Sequence, residues 1–210
     1  RACIAVRMQI DAKGRKLSHS FHRGLMRSPA SLHYEEVQAA IDGHPNERTS
    51  TLLEPVLQPL YAAWQALVTA RQDRQPLELD LPERQIVLEE DGTVSSVAFK
   101  ERLDAHRLIE EFMVLANVAA AETLNAKKSP LLFRNHEEPA PEKLNALRET
   151  AQAAGLNLAK GQVLKTAHLN RLLNQARETD DAELLNLSTL RSMPQAYYGP
   201  VNFGLFGLAL

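Results

Sequence analysis

The sequence predicts an α+β fold in which helices dominate and small antiparallel hairpins interrupt them. Several long segments place apolar residues three and four positions apart, which is the spacing of one helix face. Elsewhere, pairs of short segments alternate apolar and polar residues on either side of a tight turn, which is typical of β-hairpins. Because the hairpins are few and the helices many, the predicted class is α+β and mainly helical.

The chain opens with a predicted hairpin formed by residues 3–10 and 16–22. The apolar side chains of its first strand alternate onto one face: Ile4, Val6, Met8 and Ile10. Residues 11–14 supply the turn, in which Gly14 occupies a position that needs a positive φ.

Two helices follow this hairpin. We predict that Ser31 caps a short helix, which runs to Ile41 and ends before Gly43. The second helix is predicted to begin near Pro59 and to end near Gln72. A second hairpin region then contains predicted strands at residues 77–81, 85–89 and 94–99, with a turn at residues 90–92.

Helices account for most of the remaining chain. The longest is predicted over residues 102–125, and a short extended stretch follows at residues 129–136. Three further helices are predicted over residues 141–154, 166–177 and 181–193, with Pro141 opening the first, Gly155 ending it and Thr166 capping the second. The tail from Tyr197 onward is rich in glycine and aromatic residues.

The composition is that of an ordinary soluble globular protein. Of the 210 residues, 44% are hydrophobic and 24% are charged, and the formal net charge of −2 provides no basic field for a polyanion. Cys3 is the only cysteine, which excludes an internal disulfide and predicts a cytoplasmic location. No apolar run is long enough to predict a membrane span. Because Arg1 is not a start methionine and the last residues are apolar, we expect an excised piece of a longer protein.

The long helix carries the most informative polar residues. Residues 104–117 are apolar almost all the way round, so the helix is predicted to be buried. His106, Glu110 and Asn117 nevertheless fall within a sector of roughly 40°. A carboxylate in such a helix must be paired or must face a cavity, because burying it alone costs several kcal/mol. Glu110 is therefore either part of a core hydrogen-bond network or a substrate-binding carboxylate.

Two neighbouring candidates have simpler interpretations. Glu111 points about 100° away from Glu110, and its spacing from Arg107 predicts an intrahelical pair on the helix surface. Tyr34 is either a core residue with a satisfied hydroxyl or an aromatic that contacts a nucleotide. No zinc-ligand spacing, phosphate-binding glycine loop or nucleophile elbow occurs, so the residues alone show no complete catalytic site.

Several motifs resemble the RNB catalytic domain of the ribonuclease II/ribonuclease R family, and they extend over essentially all 210 residues. They are Phe21-His-Arg23, Ser28-Pro-Ala-Ser-Leu-His-Tyr34-Glu-Glu-Val37, Leu79-Asp-Leu-Pro-Glu83, residues 104–117, Leu132-Phe-Arg-Asn-His136, Leu190-Arg-Ser-Met193, Gln195-Ala-Tyr197 and Phe206-Gly-Leu-Ala-Leu210. The resemblance is closer to the bacterial ribonuclease R branch, and it implies that the chain is the central part of one RNB domain, truncated at both ends.

The resemblance implies a processive 3′→5′ exoribonuclease that hydrolyses single-stranded RNA to nucleoside monophosphates. Two Mg²⁺ ions would assist the hydrolysis, held by aspartates that precede this chain, so no metal ligand or catalytic residue is expected within it. An arginine would follow the closing motif. The chain itself would form the wall around the RNA 3′ end. A monomer is expected.

The same resemblance assigns roles to five residues. Tyr34 would lie beside the terminal nucleotides, and Glu110 would accept the ribose 2′-OH that DNA lacks. Leu79 would give apolar contact where the family has a stacking aromatic. Asn117 and His106 would position these substrate-binding residues without contacting the RNA themselves.

Two departures from the family pattern favour an alternative, which is a degenerate RNB-like module that binds RNA or protein without hydrolysis. Ser31 stands where a basic residue is usual, and Leu205 replaces a histidine of the closing motif. A third interpretation is an unrelated helical domain with a buried polar network.

Overall fold

The computed structural model describes residues 1–81, 84–89, 91–99, 101–161 and 163–210. The chain divides into two compact units, residues 1–73 with 101–131 and residues 74–100 with 132–210. Helices dominate both units, and the described strands form three two-stranded antiparallel sheets, so the predicted α+β class is confirmed. Among these residues, no helix combines the length and the apolar character that a membrane span requires.

The first unit combines one hairpin with four helices. Its elements are β1 (Ala2–Ile10), β2 (Lys16–Leu25), α1 (Tyr34–Ile41), α2 (Glu47–Leu52), α3 (Gln58–Arg74, whose last residue belongs to the second unit) and α4 (Asp104–Ala126). The predicted hairpin is present, and its antiparallel strands pair Val6 with Phe21. Gly14 has φ +74° in the turn, and a Cβ there would lie 2.1 Å from the Ala66 carbonyl oxygen of α3. Glycine is therefore required both by the backbone angle and by the close approach.

Helix starts differ from the prediction in this unit. α1 begins at Tyr34 rather than near Ser31, and the Glu36 carboxylate accepts a hydrogen bond from the His33 backbone N–H at 2.9 Å. α2 was not predicted, although Asn46 caps it by accepting from the Thr49 N–H at 2.9 Å. A π-helical turn at Leu53–Leu57 joins α2 to α3.

The second unit contains the remaining strands and helices. These are β3 (Arg84–Leu88), β4 (Val94–Phe99), β5 (Phe133–Asn135), α5 (Pro141–Ala153), α6 (Thr166–Ala176), α7 (Ala182–Ser192) and β6 (Tyr197–Gly199), followed by a 3₁₀ turn at Phe206–Leu208. The three helices bury a leucine-rich core that includes Leu147, Leu169 and Leu185. Their predicted positions agree with the structure to within a few residues, because Pro141 and Gly155 limit the first helix and the apolar spacing marks the others.

The predicted strand at residues 77–81 is wrong. In the described structure this segment pairs with no strand, and polar side chains of two helices bind its backbone. Asn170 of α6 accepts from the Glu78 N–H at 2.9 Å and donates to the Pro76 carbonyl oxygen at 2.8 Å. Asn186 of α7 accepts from the Asp80 N–H at 2.8 Å. Pro82 and Glu83 of the predicted motif, and Glu90 of the predicted turn, lie outside the described residues.

Candidate functional site

The candidate site lies on one face of α4 in the first unit. One side of this helix packs inward through Ala105, Leu108, Glu111 and Ala119, which are all buried. On the polar stripe, Glu110 is half-buried and Asn117 is exposed, and the neighbouring Met113 is 60% exposed. The prediction of a helix buried all the way round is therefore wrong, because part of its surface faces solvent and this part includes Glu110.

Tyr34 is held at this face by His106. The two rings stack with their centroids 4.1 Å apart and their planes at 22°. The tyrosine remains 42% exposed, which does not agree with the alternative of a buried core tyrosine. The Nδ1 atom of His106 is buried, and no described residue offers it a hydrogen bond. Tyr34 thus has one ring face covered by an imidazole while much of its surface is accessible to a ligand.

Glu110 lies one helical turn after His106 and is flanked by two guanidinium groups. Its Oε2 accepts a short hydrogen bond from Nη2 of Arg102, and its Oε1 lies 3.8 Å from Nη1 of Arg71. Its side chain is 34% exposed. An ionised carboxylate has about four lone-pair sites, so two arginines do not exhaust its capacity to accept hydrogen bonds. Glu110 is therefore a paired carboxylate that can still receive a donor from a ligand.

The buried carboxylate of α4 is Glu111. Its side chain is only 6% exposed, and its Oε1 accepts from Nη1 of Arg71 at 2.6 Å. The predicted surface pair between Glu111 and Arg107 is wrong, because Arg107 instead bonds to Asp104 at 3.2 Å. Arg71 of α3 therefore lies beside both glutamates and places a positive charge next to each carboxylate.

The start of α4 is fixed by a hydrogen bond from the preceding helix. The Tyr61 hydroxyl of α3 donates to Oδ2 of Asp104 at 2.8 Å. Burial, together with this bond to a carboxylate, raises the pKa of Tyr61 from 10.0 to about 12. The neutral phenol is thus favoured in the folded state, at the turn that leads into His106 and Glu110.

This pKa gives a prediction for alkaline pH. Because the folded pKa exceeds the unfolded one, the stabilisation is complete below pH 10 and is lost as the pH rises through about 12. We expect an absorbance titration of the chain's tyrosines to show a late phase that Tyr61→Phe removes, and the variant to lose less stability than the wild type in that range. An identical titration of Tyr61→Phe and wild type would contradict the assignment.

Leu79 belongs to the second unit, where it is half-buried and packs against the leucine-rich core. Its neighbours Glu78 and Asp80 line a cavity of about 350 Å³ next to α6 and α7. Thr166 of α6 also donates to the Gln75 carbonyl oxygen at 2.6 Å. The segment that carries Leu79 is thus held in place by helix side chains, and Leu79 itself keeps a partly accessible apolar surface.

The described residues do not fit a metal centre. In the ranges of the chain that the structure covers, no group of three or more His, Cys, Asp or Glu side chains is placed to hold an ion. A two-metal site for phosphoryl transfer needs several such ligands close together.

The chain matches a family profile and known relatives over its whole length. The profile of the family described as RNB domain matches residues 1–210. The chain belongs to the RNB domain family. Ribonuclease R of Escherichia coli (strain K12) is 34% identical to this RNB chain over 211 residues, covering 100% of the chain and 26% of the relative. The chain thus spans about a quarter of the length of that relative.

Solved structures share the RNB fold. The apo form of Mycoplasma genitalium ribonuclease R superposes with a TM-score of 0.87 at 21% identity, covering 100% of this chain and 33% of that chain. The same protein in complex with ribose methylated single-stranded RNA gives a TM-score of 0.86 at 21% identity, with the same coverage. These similarities confirm the predicted RNB fold and the closeness to ribonuclease R.

Sequence reasoning missed the two arginines beside Glu110 in this RNB chain. Arg71 lies about 40 positions earlier, and nothing in its local pattern distinguishes it from other helix-surface arginines. Arg102 lies in the segment just before α4, so the helical spacing of residues does not predict its contact with Glu110.

Proposed function

We propose that the intact protein containing this chain is a 3′→5′ exoribonuclease that hydrolyses single-stranded RNA to nucleoside monophosphates. The observation that carries the proposal is the partly exposed face of α4, where Tyr34 stacks on His106 one helical turn before Glu110, in a chain that matches the RNB domain throughout. In this proposal all 210 residues are the central part of one catalytic domain and form the wall around the RNA 3′ end. The intact protein is a cytoplasmic monomer.

Each residue of this face has a separate role in the proposal. Glu110 accepts the ribose 2′-OH, and its two arginine neighbours orient the carboxylate. Tyr34 contacts a terminal nucleotide with its accessible side while His106 supports the other side of its ring. Asn117 lies two turns beyond Glu110 and extends the polar stripe. Leu79, which belongs to the second unit, is proposed to give the RNA a separate apolar contact.

The hydrolytic step requires groups outside the described residues. We propose that residues other than those described would hold Mg²⁺, which would supply activation of the attacking water and stabilisation of the leaving oxygen. The chain's own contribution is to bind and orient the RNA 3′ end and to select ribose over deoxyribose.

A direct activity assay tests the proposal. We expect the intact protein with Mg²⁺ to shorten a labelled single-stranded RNA from its 3′ end and to release mononucleotides, and we expect chelation of the metal to stop it. We expect the isolated 210-residue chain to show no hydrolysis, because the proposed metal ligands are absent from it. Internal cleavage by the intact protein, or processive shortening by the chain alone, would contradict this assignment.

The second candidate is a non-catalytic RNB-like module that binds RNA or protein. Leu205 and Ser31 favour it, because they replace the family's histidine and basic residue. The structure places a different cation beside Ser31, since Arg48 Nη1 donates to the Ser31 carbonyl oxygen at 3.3 Å. That guanidinium also binds Glu36 at 2.7 Å. RNA binding without release of mononucleotides by the intact protein would favour this candidate.

A further inference from the structure

Two consecutive residues at the end of β5 bind the last part of the chain. Asn135 is fully buried, and both ends of its side-chain amide are used. Its Nδ2 donates to the Val201 carbonyl oxygen at 2.8 Å, and its Oδ1 accepts from the Phe203 N–H at 2.9 Å. A buried asparagine bonded in this way fixes the backbone that leads into residues 204–210, here called the closing segment.

His136 binds the closing segment through its backbone and its side chain. Its N–H donates to the Gly204 carbonyl oxygen at 2.9 Å, and its carbonyl oxygen accepts from the Phe206 N–H at 2.7 Å. Its imidazole Nδ1 accepts from the Gly207 N–H at 3.2 Å. On the other side of the ring, Nε2 lies 3.0 Å from the Pro194 carbonyl oxygen.

These ring partners permit one protonation state. A backbone N–H can only donate, so Nδ1 must carry no proton to accept from Gly207. A carbonyl oxygen can only accept, so Nε2 must carry the proton that is donated to Pro194. The geometry therefore requires a neutral imidazole with its proton on Nε2.

The closing segment fits closely around this ring. A Cβ on Gly207 would lie 3.2 Å from Nδ1 and 3.3 Å from Cε1 of His136, so a larger residue would push the ring away. The closing segment is also bonded to residues 77–81, which include Leu79, since the Leu77 N–H donates to the Gly207 carbonyl oxygen at 2.8 Å. Gly207 is thus held by two hydrogen bonds, one to the imidazole of His136 and one from the Leu77 N–H.

We propose that His136 is a positioning residue of the intact enzyme, whose neutral Nε2–H imidazole sets the conformation of the closing segment needed for turnover. This inference rests on the proposed exoribonuclease function. His136 acts through the backbone of Gly207 and Phe206 and touches neither RNA nor the reacting atoms. Its loss is therefore expected to lower kcat while leaving KM for RNA nearly unchanged.

Two substitutions of His136 test the two hydrogen bonds of its imidazole ring one at a time. The amide side chain introduced by His136→Asn keeps an oxygen where Nδ1 stands, so it can still accept from Gly207. The longer amide introduced by His136→Gln keeps a donor near the position of Nε2 and loses that acceptor. We expect His136→Gln to lower kcat of the intact protein by about tenfold, as for the loss of one hydrogen bond that orders a backbone, and His136→Asn to restore most of it. His44→Gln, at an exposed histidine of the first unit, is the matched control and is expected to keep full activity.

Two measurements on the wild-type and variant chains do not depend on catalysis. The imidazole signals that are lost from the nitrogen-15 NMR spectrum in His136→Asn belong to His136. We expect these signals in the wild type to show the Nε2–H tautomer. We expect hydrogen exchange of the Gly207 amide to accelerate in His136→Gln but not in His44→Gln. A protonated Nδ1, or unchanged exchange at Gly207, would overturn the positioning role.

The activity results separate the two proposals. An inactive wild-type protein with a protected Gly207 amide would contradict the exoribonuclease function and leave the bond of His136 to Gly207 established. Equal kcat values for wild type and His136→Gln, in an active enzyme, would overturn the inference about turnover. A large change in KM with unchanged kcat would also overturn it, because it would place His136 in RNA binding.

Discussion

We expect Glu110→Ala in the intact protein to reduce the preference for RNA over DNA by about 10- to 100-fold, since a hydrogen bond to a charged acceptor is worth roughly 1.5–3 kcal/mol. The ribose 2′-OH would lose its acceptor, while deoxyribose has no hydroxyl to lose. The measurement is the ratio of the kcat/KM values for two oligonucleotides of the same sequence. One ends in ribose nucleotides at its 3′ end and the other in deoxyribose nucleotides. A 2′-O-methyl group has no proton to donate to the Glu110 carboxylate. We therefore expect the wild type to reject a 2′-O-methyl terminus and Glu110→Ala, which lacks the carboxylate, to tolerate it better.

Glu122→Ala is the matched control for this experiment. Glu122 is a carboxylate of the same helix, and it pairs with Lys16 at 2.6 Å on the side of the hairpin. We expect it to keep the discrimination of the wild type. If Glu110→Ala discriminates as strongly as the wild type does, Glu110 has no role in recognising the 2′-OH, and its pairing with Arg102 is only structural.

We expect Arg71→Ala to lower the free energy of unfolding by about 3–5 kcal/mol, the range for breaking a buried ion pair by removing one partner. The reason is that Glu111 is almost completely out of water and accepts from Arg71 at 2.6 Å. Removing the guanidinium takes away the positive charge that binds this buried carboxylate. Urea unfolding of wild type and variant, monitored by helical circular dichroism, measures the difference.

Arg107→Ala is the comparison on the same helix, because Arg107 forms an exposed pair with Asp104 at 3.2 Å. Exposed pairs contribute about 0–1 kcal/mol, so this variant should remain close to the wild type. Combining Arg71→Met with Glu111→Leu should recover part of the lost stability, because an apolar pair needs no charge compensation. Equal losses for Arg71→Ala and Arg107→Ala would show that Glu111 is not stabilised by Arg71.

The elements defined by local pattern were predictable from the sequence. The alternation in β1 predicts a strand with Ile4 and Val6 on one face, and the structure has this strand in an antiparallel hairpin with β2. Pro141 and Gly155 mark the limits of α5 because each acts on the backbone of its own position. The predicted strand at residues 77–81 is wrong because its backbone partners are distant in the sequence. Asn170 and Asn186, about 100 positions away, bind this backbone, and a local alternating pattern does not show such partners.

The candidate site shows the same division. Helical periodicity placed His106, Glu110 and Asn117 on one face of α4, and motif resemblance added Tyr34. Periodicity could not decide which of two adjacent glutamates is buried, because both have the same chemistry and differ only by a rotation of about 100°. That choice was made by Arg71 on another helix, which binds Glu111 and leaves Glu110 partly exposed.

The RNB family, the mainly helical α+β class and the polar stripe of α4 could be predicted before folding is considered, because they depend on motifs and on the geometry of single elements. The partners of the charged and polar side chains could not, because they depend on how the chain folds. The stack of Tyr34 on His106, the pairing of Arg102 with Glu110 and the bonds of His136 to Gly207 each join residues that chain folding brings together. The physical reason is that a hydrogen bond or an ion pair needs contact distance, which the local spacing of residues does not specify.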